Sequence, residues 1–432
     1  MSESSDPREG PSPLPSPGYS RYVLGVLFVV YVFNFIDRQI LAILLDPIKS
    51  DLGVSDTEMG FLTGFAFAIF YALAGLPIAR WADRGNRRTI IALGIALWSA
   101  MTAVSGLARS FAQLAIARVG VGVGEAGCTP PAHSLISDYF PPERRSTALA
   151  VYAMGTYVGV MIGFLAGGWI SEYFDWRTAF FVVGLPGLVL AVVVRLTVRE
   201  PQRGLSESAP VDTRSVPVPE LLRFLLARRS FVYLQLAGAL HALASYGFAI
   251  WAPAFLGRVH GMGTAEIGTW LALIAGPGGA AGVFLVGKLC DRLTTREARW
   301  YVWLPAITCL LPLPFTLGFL LIDDTGWALA CYGPHTILGA GYVGPMFAVT
   351  QALVKVRMRA QAVAIHLMLV NLIGLGAGPQ LVGILSDTFA VSMGSLSLRY
   401  ALLVVGVANV LAGFFYLRAA RTLRADLASR ED

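Results

Sequence analysis

Charge is what this sequence has least of. Asp, Glu, Lys and Arg make up 14% of its 432 residues, against roughly 25% in an ordinary soluble domain. Hydrophobic residues make up 56% and the mean hydropathy is +0.64. Polar groups this scarce could not cover the surface of a water-soluble protein, so a cytosolic enzyme and a disordered chain are both excluded. Cysteine is scarce too. Cys128, Cys290, Cys309 and Cys331 have no paired spacing, so neither a disulfide scaffold nor a metal site is expected. No Asn-x-Ser/Thr, His-Glu-x-x-His or Gly-x-Ser-x-Gly occurs. No catalytic residue and no cofactor is therefore expected, and the chain does not read as an enzyme.

What the sequence has is long apolar runs. Ten stretches of at least 17 residues lack Asp, Glu, Lys and Arg: 59–79, 89–108, 146–171, 178–194, 230–257, 267–287, 300–322, 325–354, 360–386 and 400–417. Two more, about 21–45 and 111–138, carry internal charge, Asp37 and Arg38 in the first and Arg118 and Glu125 in the second. A helix needs about 20 apolar residues to cross the hydrocarbon core, whereas barrel strands are about 10 and alternating. The expected fold is therefore an all-α polytopic membrane protein of 12 transmembrane helices. Of the 33 basic residues, 26 fall on the termini and even-numbered loops, 5 on the opposite side and 2 inside spans. Basic residues mark the cytoplasmic side, so both termini are expected there. The formal charge of +6 reports orientation, and nucleic acid is not a partner.

The first 19 residues are Ser/Pro-rich and lack the basic n-region of a signal peptide. Residues 199–229 form the longest polar stretch inside the chain. The expected organisation is a disordered tail (1–19), a six-helix bundle (20–198), a cytoplasmic linker (199–229), a second six-helix bundle (230–420) and a C-terminal tail (421–432). The halves echo one another. Ala79-Arg-Trp-Ala-Asp83-Arg84 returns as Gly287-Lys-Leu-Cys-Asp291-Arg292, Arg145-Ser-Thr-Ala148 as Arg359-Ala-Gln-Ala362, and Gly168-Trp-Ile-Ser171-Glu172 as Gly383-Ile-Leu-Ser386-Asp387. Three matches at nearly constant offset point to duplication, and paired repeats around a shared midplane site are a transporter architecture.

These residues carry a resemblance. Ala79 to Arg88, with Asp83, Arg84, Arg87 and Arg88, resembles the major facilitator superfamily signature between helices 2 and 3. Arg118-x-x-x-Gly122 resembles its fourth-helix motif and Gly155-x-x-x-Gly159-x-x-x-Gly163 its fifth-helix glycine motif. Val160 stands where that motif commonly has Pro. Asn34-Phe-Ile-Asp37-Arg38, Gly122-Val-Gly-Glu125-Ala126 and Arg359-Ala-Gln-Ala362 are most similar to the spinster group. The resemblance implies the major facilitator fold, proton-linked movement of lysophospholipid or sphingoid-phosphate amphiphiles by alternating access, and a cytoplasmic gate at Asp83, Arg84, Arg87, Arg88, Asp291 and Arg292. Two further motifs mislead. Gly122-Val-Gly124-Glu-Ala-Gly127 fits the dinucleotide fingerprint and Gly282 to Leu289 nearly fits a P-loop, but both lie in spans, not in a strand–turn–helix.

A charge at the centre of a membrane helix costs roughly 2.5–3.5 kcal/mol on insertion scales. Asp37, Arg38, Arg118 and Glu125 are therefore the expected proton-coupling residues. Asn34, Asp37, Arg38 and Leu41 fall at helical spacing on one face, as do Arg118, Gly122 and Glu125. Substrate-binding candidates are Asn34, Arg38, Arg118, Glu125, Tyr246, Gln351, His366 and Asn371. For the span histidines, helix packing is favoured over ligand binding. A charged N-half wall facing an apolar C-half wall suits an amphiphile better than a sugar. The alternatives are a proton-coupled carrier of organic anions or drugs and, more remotely, a non-transporting sensor or scaffold. Partners are the substrate, protons and the bilayer, with a monomer expected. The excess of Arg over Lys (three Lys, at positions 49, 288 and 355), with much Ala, Gly and Val, points to the inner membrane of a bacterium with a GC-rich genome.

Overall fold

The computed structural model describes residues 16–203 and 216–428. Among them there are helices and turns and no strand. The N-half holds α1 (Pro17–Ile43), α2 (Leu45–Leu52), α3 (Asp56–Thr63), α4 (Phe65–Arg84), α5 (Arg87–Ser105), α6 (Phe111–Ala126), α7 (Thr129–Tyr139), α8 (Pro142–Tyr173) and α9 (Trp176–Thr197). After α10 (Val218–Leu226), the C-half holds α11 (Arg229–His260), α12 (Thr264–Thr294), α13 (Trp300–Leu310), α14 (Leu313–Leu321), α15 (Thr325–Gly339), α16 (Val343–Ala352), α17 (Arg359–Leu369), α18 (Gly378–Met393) and α19 (Ser397–Ala428). Nine stretches have the length and hydropathy of a span, the last being 70 residues long. That last stretch turns at Gly394, whose φ is +53°, so it is two rods. The interrupted rods α6–α7 and α15–α16 complete twelve.

The ends of the rods follow capping chemistry. Ser55 and Glu58 form a capping box on α3. Asn86, Ser110, Asp175 and Asp324 each accept a backbone N–H at the start of α5, α6, α9 and α15. Gly261 closes α11 in the left-handed conformation, φ +67°, which costs glycine little.

The structure departs from the expected boundaries in three places. α1 begins at Pro17, capped by the Ser16 hydroxyl, inside the segment expected to be tail; residues 1–15 lie outside the described residues. α19 runs to Ala428, through most of the expected C-terminal tail, with 429–432 outside the described residues. The expected linker contains α10, while 204–215 lie outside the described residues. The fourth rod is also broken, at Gly127–Cys128, directly after Glu125. Pro130 and Pro131 follow; lacking N–H groups, they cannot continue the ladder from the preceding turn.

Small residues set the helix spacing. A Cβ on Gly159 would stand 2.7 Å from Phe35 Cβ, and one on Gly163 2.9 Å from Gln39 Cβ, so the glycine stripe of α8 seats α1. A Cβ on Gly122 would meet the Phe67 carbonyl at 2.8 Å. The fingerprint-like Gly122–Gly127 run therefore lies in α6 and packs against neighbouring helices.

Buried apolar residues form three cores. One joins both halves, from Val32–Leu62 and Phe164–Val183 to Phe248–Ala272 and Val382–Val405. The other two stay almost wholly within one half each: Val23–Val30 with Phe67–Val198, and Val216–Ala237 with Val302–Leu423. The shared core lies toward the face opposite the chain ends, called the outer face below. Every hydrogen bond between the halves among the described residues lies there as well. The halves are thus joined at the outer face and separate at the face carrying the chain ends.

Candidate transport site

α1 and α6 bring the four membrane charges together. Arg38 Nε donates to Glu125 Oε2 at 2.7 Å, with the Glu125 side chain fully buried and that of Arg38 19% exposed. The Arg38 guanidinium lies 4.9 Å from the Phe67 ring, 5.2 Å from Phe35 and 5.3 Å from Tyr71. Arg118 sits 5.7 Å from the same Phe67 ring. Aromatic faces stabilise guanidinium charge where water is scarce. This cage went unrecognised in the sequence; Phe67 and Tyr71, four apart in the second span, were its signal.

Asp37 and Arg118 are within electrostatic range of one another and of Glu125, yet neither makes a direct ion pair among the described residues. Asp37 is buried beside Trp98 and Thr102 of α5. It therefore turns into the N-half, while the next residue, Arg38, stands at the edge of the opening. One residue is 100° of helix, so the expected common face is a broad one with Asp37 at its inner margin. Both amide atoms of Asn34, one oxygen each of Asp37 and Glu125, and Nε and Nη1 of Arg118 are buried without a hydrogen-bond partner. Buried polar atoms without a partner among the described residues are costly, so this cluster stands out from the apolar interior around it.

The C-half candidates divide. Tyr246 faces Arg38 and packs on the N-half core. His366 does not face the other half: its Nδ1 pairs with Gln235 Oε1 at 2.8 Å, and the ring is buried against Phe347. His241 pairs with Asn409 and His335 with Thr316, each at 2.8 Å. Packing is thus the role these histidines have in the structure, and His366 is corrected as a cavity residue. Gln351 is exposed at the end of α16. Asn371 lies in a π-helical stretch, Val370–Ala377, that joins α17 to α18.

The expected cytoplasmic gate is open. Asp83, Arg84, Asp291 and Arg292 are exposed, and among the described residues none of their side chains bonds to the opposite half. Arg87 is buried and bound within its own half, with Nη1 on Asp138 and Ser134 and Nε on Glu200 at 2.7 Å. The Arg88 N–H donates to the other Glu200 oxygen at 2.9 Å. Asp83→Asn should leave this conformation untouched and weaken only a state in which the cytoplasmic ends meet. Spin-label distances across that end should lengthen on average; unchanged distances would refute a gating role for Asp83.

The outer seam was not anticipated. Arg258 of α11 binds Asp46 (Nε to Oδ1, 3.0 Å) and Asp56 (Nη1 to Oδ2, 2.6 Å). Asp56 also takes Lys49 Nζ and the Ser386 hydroxyl, each at 2.6 Å. Asp387 accepts the first N–H groups of α3, from Asp56 at 3.1 Å and Thr57 at 2.7 Å. In the mirror position Glu172 accepts the Thr264 hydroxyl at 2.8 Å and the Ala265 N–H at 3.3 Å, at the start of α12. Each half thus caps a helix of the other with a carboxylate, which favours the positive end of the helix dipole. The signal was present in the duplicated Ser171-Glu172 and Ser386-Asp387, which sequence alone marks only as repeats.

Two six-helix halves joined at one face and parted at the other, with a charged cluster at the edge of the opening, are the architecture of a membrane transporter. Residues 27–379 match the model of the Major Facilitator Superfamily, and the chain belongs to that family. It is 36% identical to an MFS-type efflux pump of Mycolicibacterium smegmatis over 93% of both chains. It is 28% identical to a probable galactarate/D-glucarate transporter of Bacillus subtilis, over 74% of this chain and 76% of that one. To a sphingosine-1-phosphate transporter of Danio rerio it is 27% identical, over 92% and 83%. The crystal structure of a bacterial homologue of the human lysosomal transporter spinster, inward-facing and unoccupied, superposes with a TM-score of 0.86 at 34% identity, covering 95% of this chain and 99% of that one.

Proposed function

We propose that this transporter moves a lipid-like amphiphile, of the lysophospholipid or sphingoid-phosphate type, across a bacterial inner membrane in exchange or symport with protons. The observation that carries the proposal is the Arg38–Glu125 pair, seated in an aromatic cage at the edge of the opening between the halves. A guanidinium among aromatic rings receives a phosphate headgroup, and the apolar C-half wall suits a hydrocarbon tail. Glu125 and Asp37, buried with unpartnered oxygens, are the proton carriers in this proposal. Protonation of Glu125 frees Arg38 for the headgroup, and departure of the headgroup returns Arg38 to the carboxylate. Kinship to both a sphingosine-1-phosphate transporter and a galactarate/D-glucarate transporter is consistent with an anionic group at Arg38.

The second reading, a carrier of small organic anions or drugs, keeps the same arginines and drops the tail. Proteoliposomes separate the two. A lysophospholipid, a sphingoid phosphate and a sugar acid are compared, each with and without a pH gradient. Saturable uptake of a lipid that rises with the gradient is expected. Failure of both lipids alongside gradient-driven uptake of the sugar acid would establish the second reading.

A further inference from the structure

Away from the seam and the charged site, the C-half carries an apolar groove of about 590 Å³ between α13 and α19. Trp300, Trp303, Ile307, Leu310 and Leu311 line one wall and Leu417 the other. From Trp300 to Leu311 a helix rises about 16 Å, close to half of a hydrocarbon core of about 30 Å. The groove thus has the depth of one leaflet. Its mouth is at the end carrying the chain termini, which the charge asymmetry assigns to the cytoplasm.

That mouth is basic. Arg296 and Arg299 lie within four residues of Trp300, and Arg421 is one turn beyond Leu417 on α19. None of the three guanidinium groups bonds a carboxylate among the described residues, although Arg299 lies within electrostatic range of Glu297, and Arg299 Nε is buried without a hydrogen-bond partner. The carboxylate nearest in sequence, Glu297, is engaged elsewhere: both its oxygens accept from Arg424 and one also from the Arg299 N–H. That bond ties the start of α13 to the end of α19 across the mouth. Trp300 and Trp303 meet edge to face at 5.3 Å where an interfacial aromatic belt is expected.

We infer that this groove binds an anionic phospholipid of the cytoplasmic leaflet, its acyl chain along Trp303, Ile307 and Leu417 and its phosphate on Arg296, Arg299 and Arg421. An apolar slot alone would take any lipid. The unpaired arginines above it select negative headgroups, as basic pockets between membrane helices do on the cytoplasmic side. This lipid is a resident and not the cargo, because the groove opens sideways, on the outside of the C-half bundle.

The test uses the full chain, purified and delipidated, with brominated phosphatidylglycerol or brominated phosphatidylcholine quenching tryptophan fluorescence. The groove component is what Trp300→Phe/Trp303→Phe removes. It should saturate at a phosphatidylglycerol fraction about 10-fold below that for phosphatidylcholine. Arg296→Gln/Arg299→Gln/Arg421→Gln should abolish that preference, with transport of the central substrate measured separately. Equal quenching by both lipids overturns the inference. So does a groove component whose preference survives the triple variant, or total quenching that loss of the two tryptophans leaves unchanged.

Discussion

Replacing Glu125 with Gln should abolish pH-gradient-driven accumulation of substrate while equilibrium exchange of substrate across the same membrane continues. Gln keeps the shape of Glu but can neither bind nor release the proton. The variant should remain folded, because Arg38 keeps its contacts with Phe35, Phe67 and Tyr71 and is partly exposed at the opening. Replacing the charged acceptor of Arg38 by a neutral amide should cost up to about 1.5–3 kcal/mol, visible as a lower unfolding temperature in detergent. Arg38→Gln/Glu125→Gln should recover most of that loss, since the Arg38 guanidinium is no longer left without its carboxylate, and should still fail to couple. Asp37→Asn is expected to act in the same direction. Unimpaired gradient-driven accumulation in both Glu125→Gln and Asp37→Asn would remove these carboxylates from the mechanism.

The second large effect is expected at Arg258. Arg258→Met removes the group that holds Asp46 to the C-half and one of those that hold Asp56 there. Asp56 stays buried with Lys49 and Ser386, but Asp46 is left unpaired. Arg258 is 20% exposed and Asp46 33%, so the lost interaction is discounted from the buried-pair range to about 1–3 kcal/mol. On a two-state equilibrium that is about 5- to 150-fold toward the outward-open state. Ser50 and Ser392 are exposed on the outer face, one in each half. Converted to cysteine in a background lacking the four native cysteines, they report the change by spin-label distances. A longer population should emerge in Arg258→Met; a distribution identical to the parent would show that the seam does not hold the closed state.

Local pattern made the twelve rods legible. Apolar length and the position of basic residues are set residue by residue by the bilayer. The pairing of Arg38 with Glu125 was also within reach, since few charges occur in the spans and opposite charges there seek one another. Three features were out of reach. That Asp37 turns toward Trp98 and Thr102 depends on how α1 is rotated against α5, which spacing within α1 does not fix. That His366 belongs to Gln235 depends on the neighbour it packs against. The seam joins Asp56 to Asp387, 331 residues away, and no local period records such a bond. The break after Glu125 was written in Pro130 and Pro131 but was masked by hydropathy continuous through residue 138.

One helix serves both ends of the machine. α8 holds α1, with its charge pair, in the groove of Gly155, Gly159 and Gly163, and farther along presses Gly168 against Gly268 of α12 at the outer seam. It is a beam with two footholds. Backbone-close packing leaves little room for a shift at either foothold. A tilt of α1 at the Arg38–Glu125 pair would therefore be felt at the outer seam. The absence of side chains along that stripe is thus what brings both footholds into backbone contact with their neighbours.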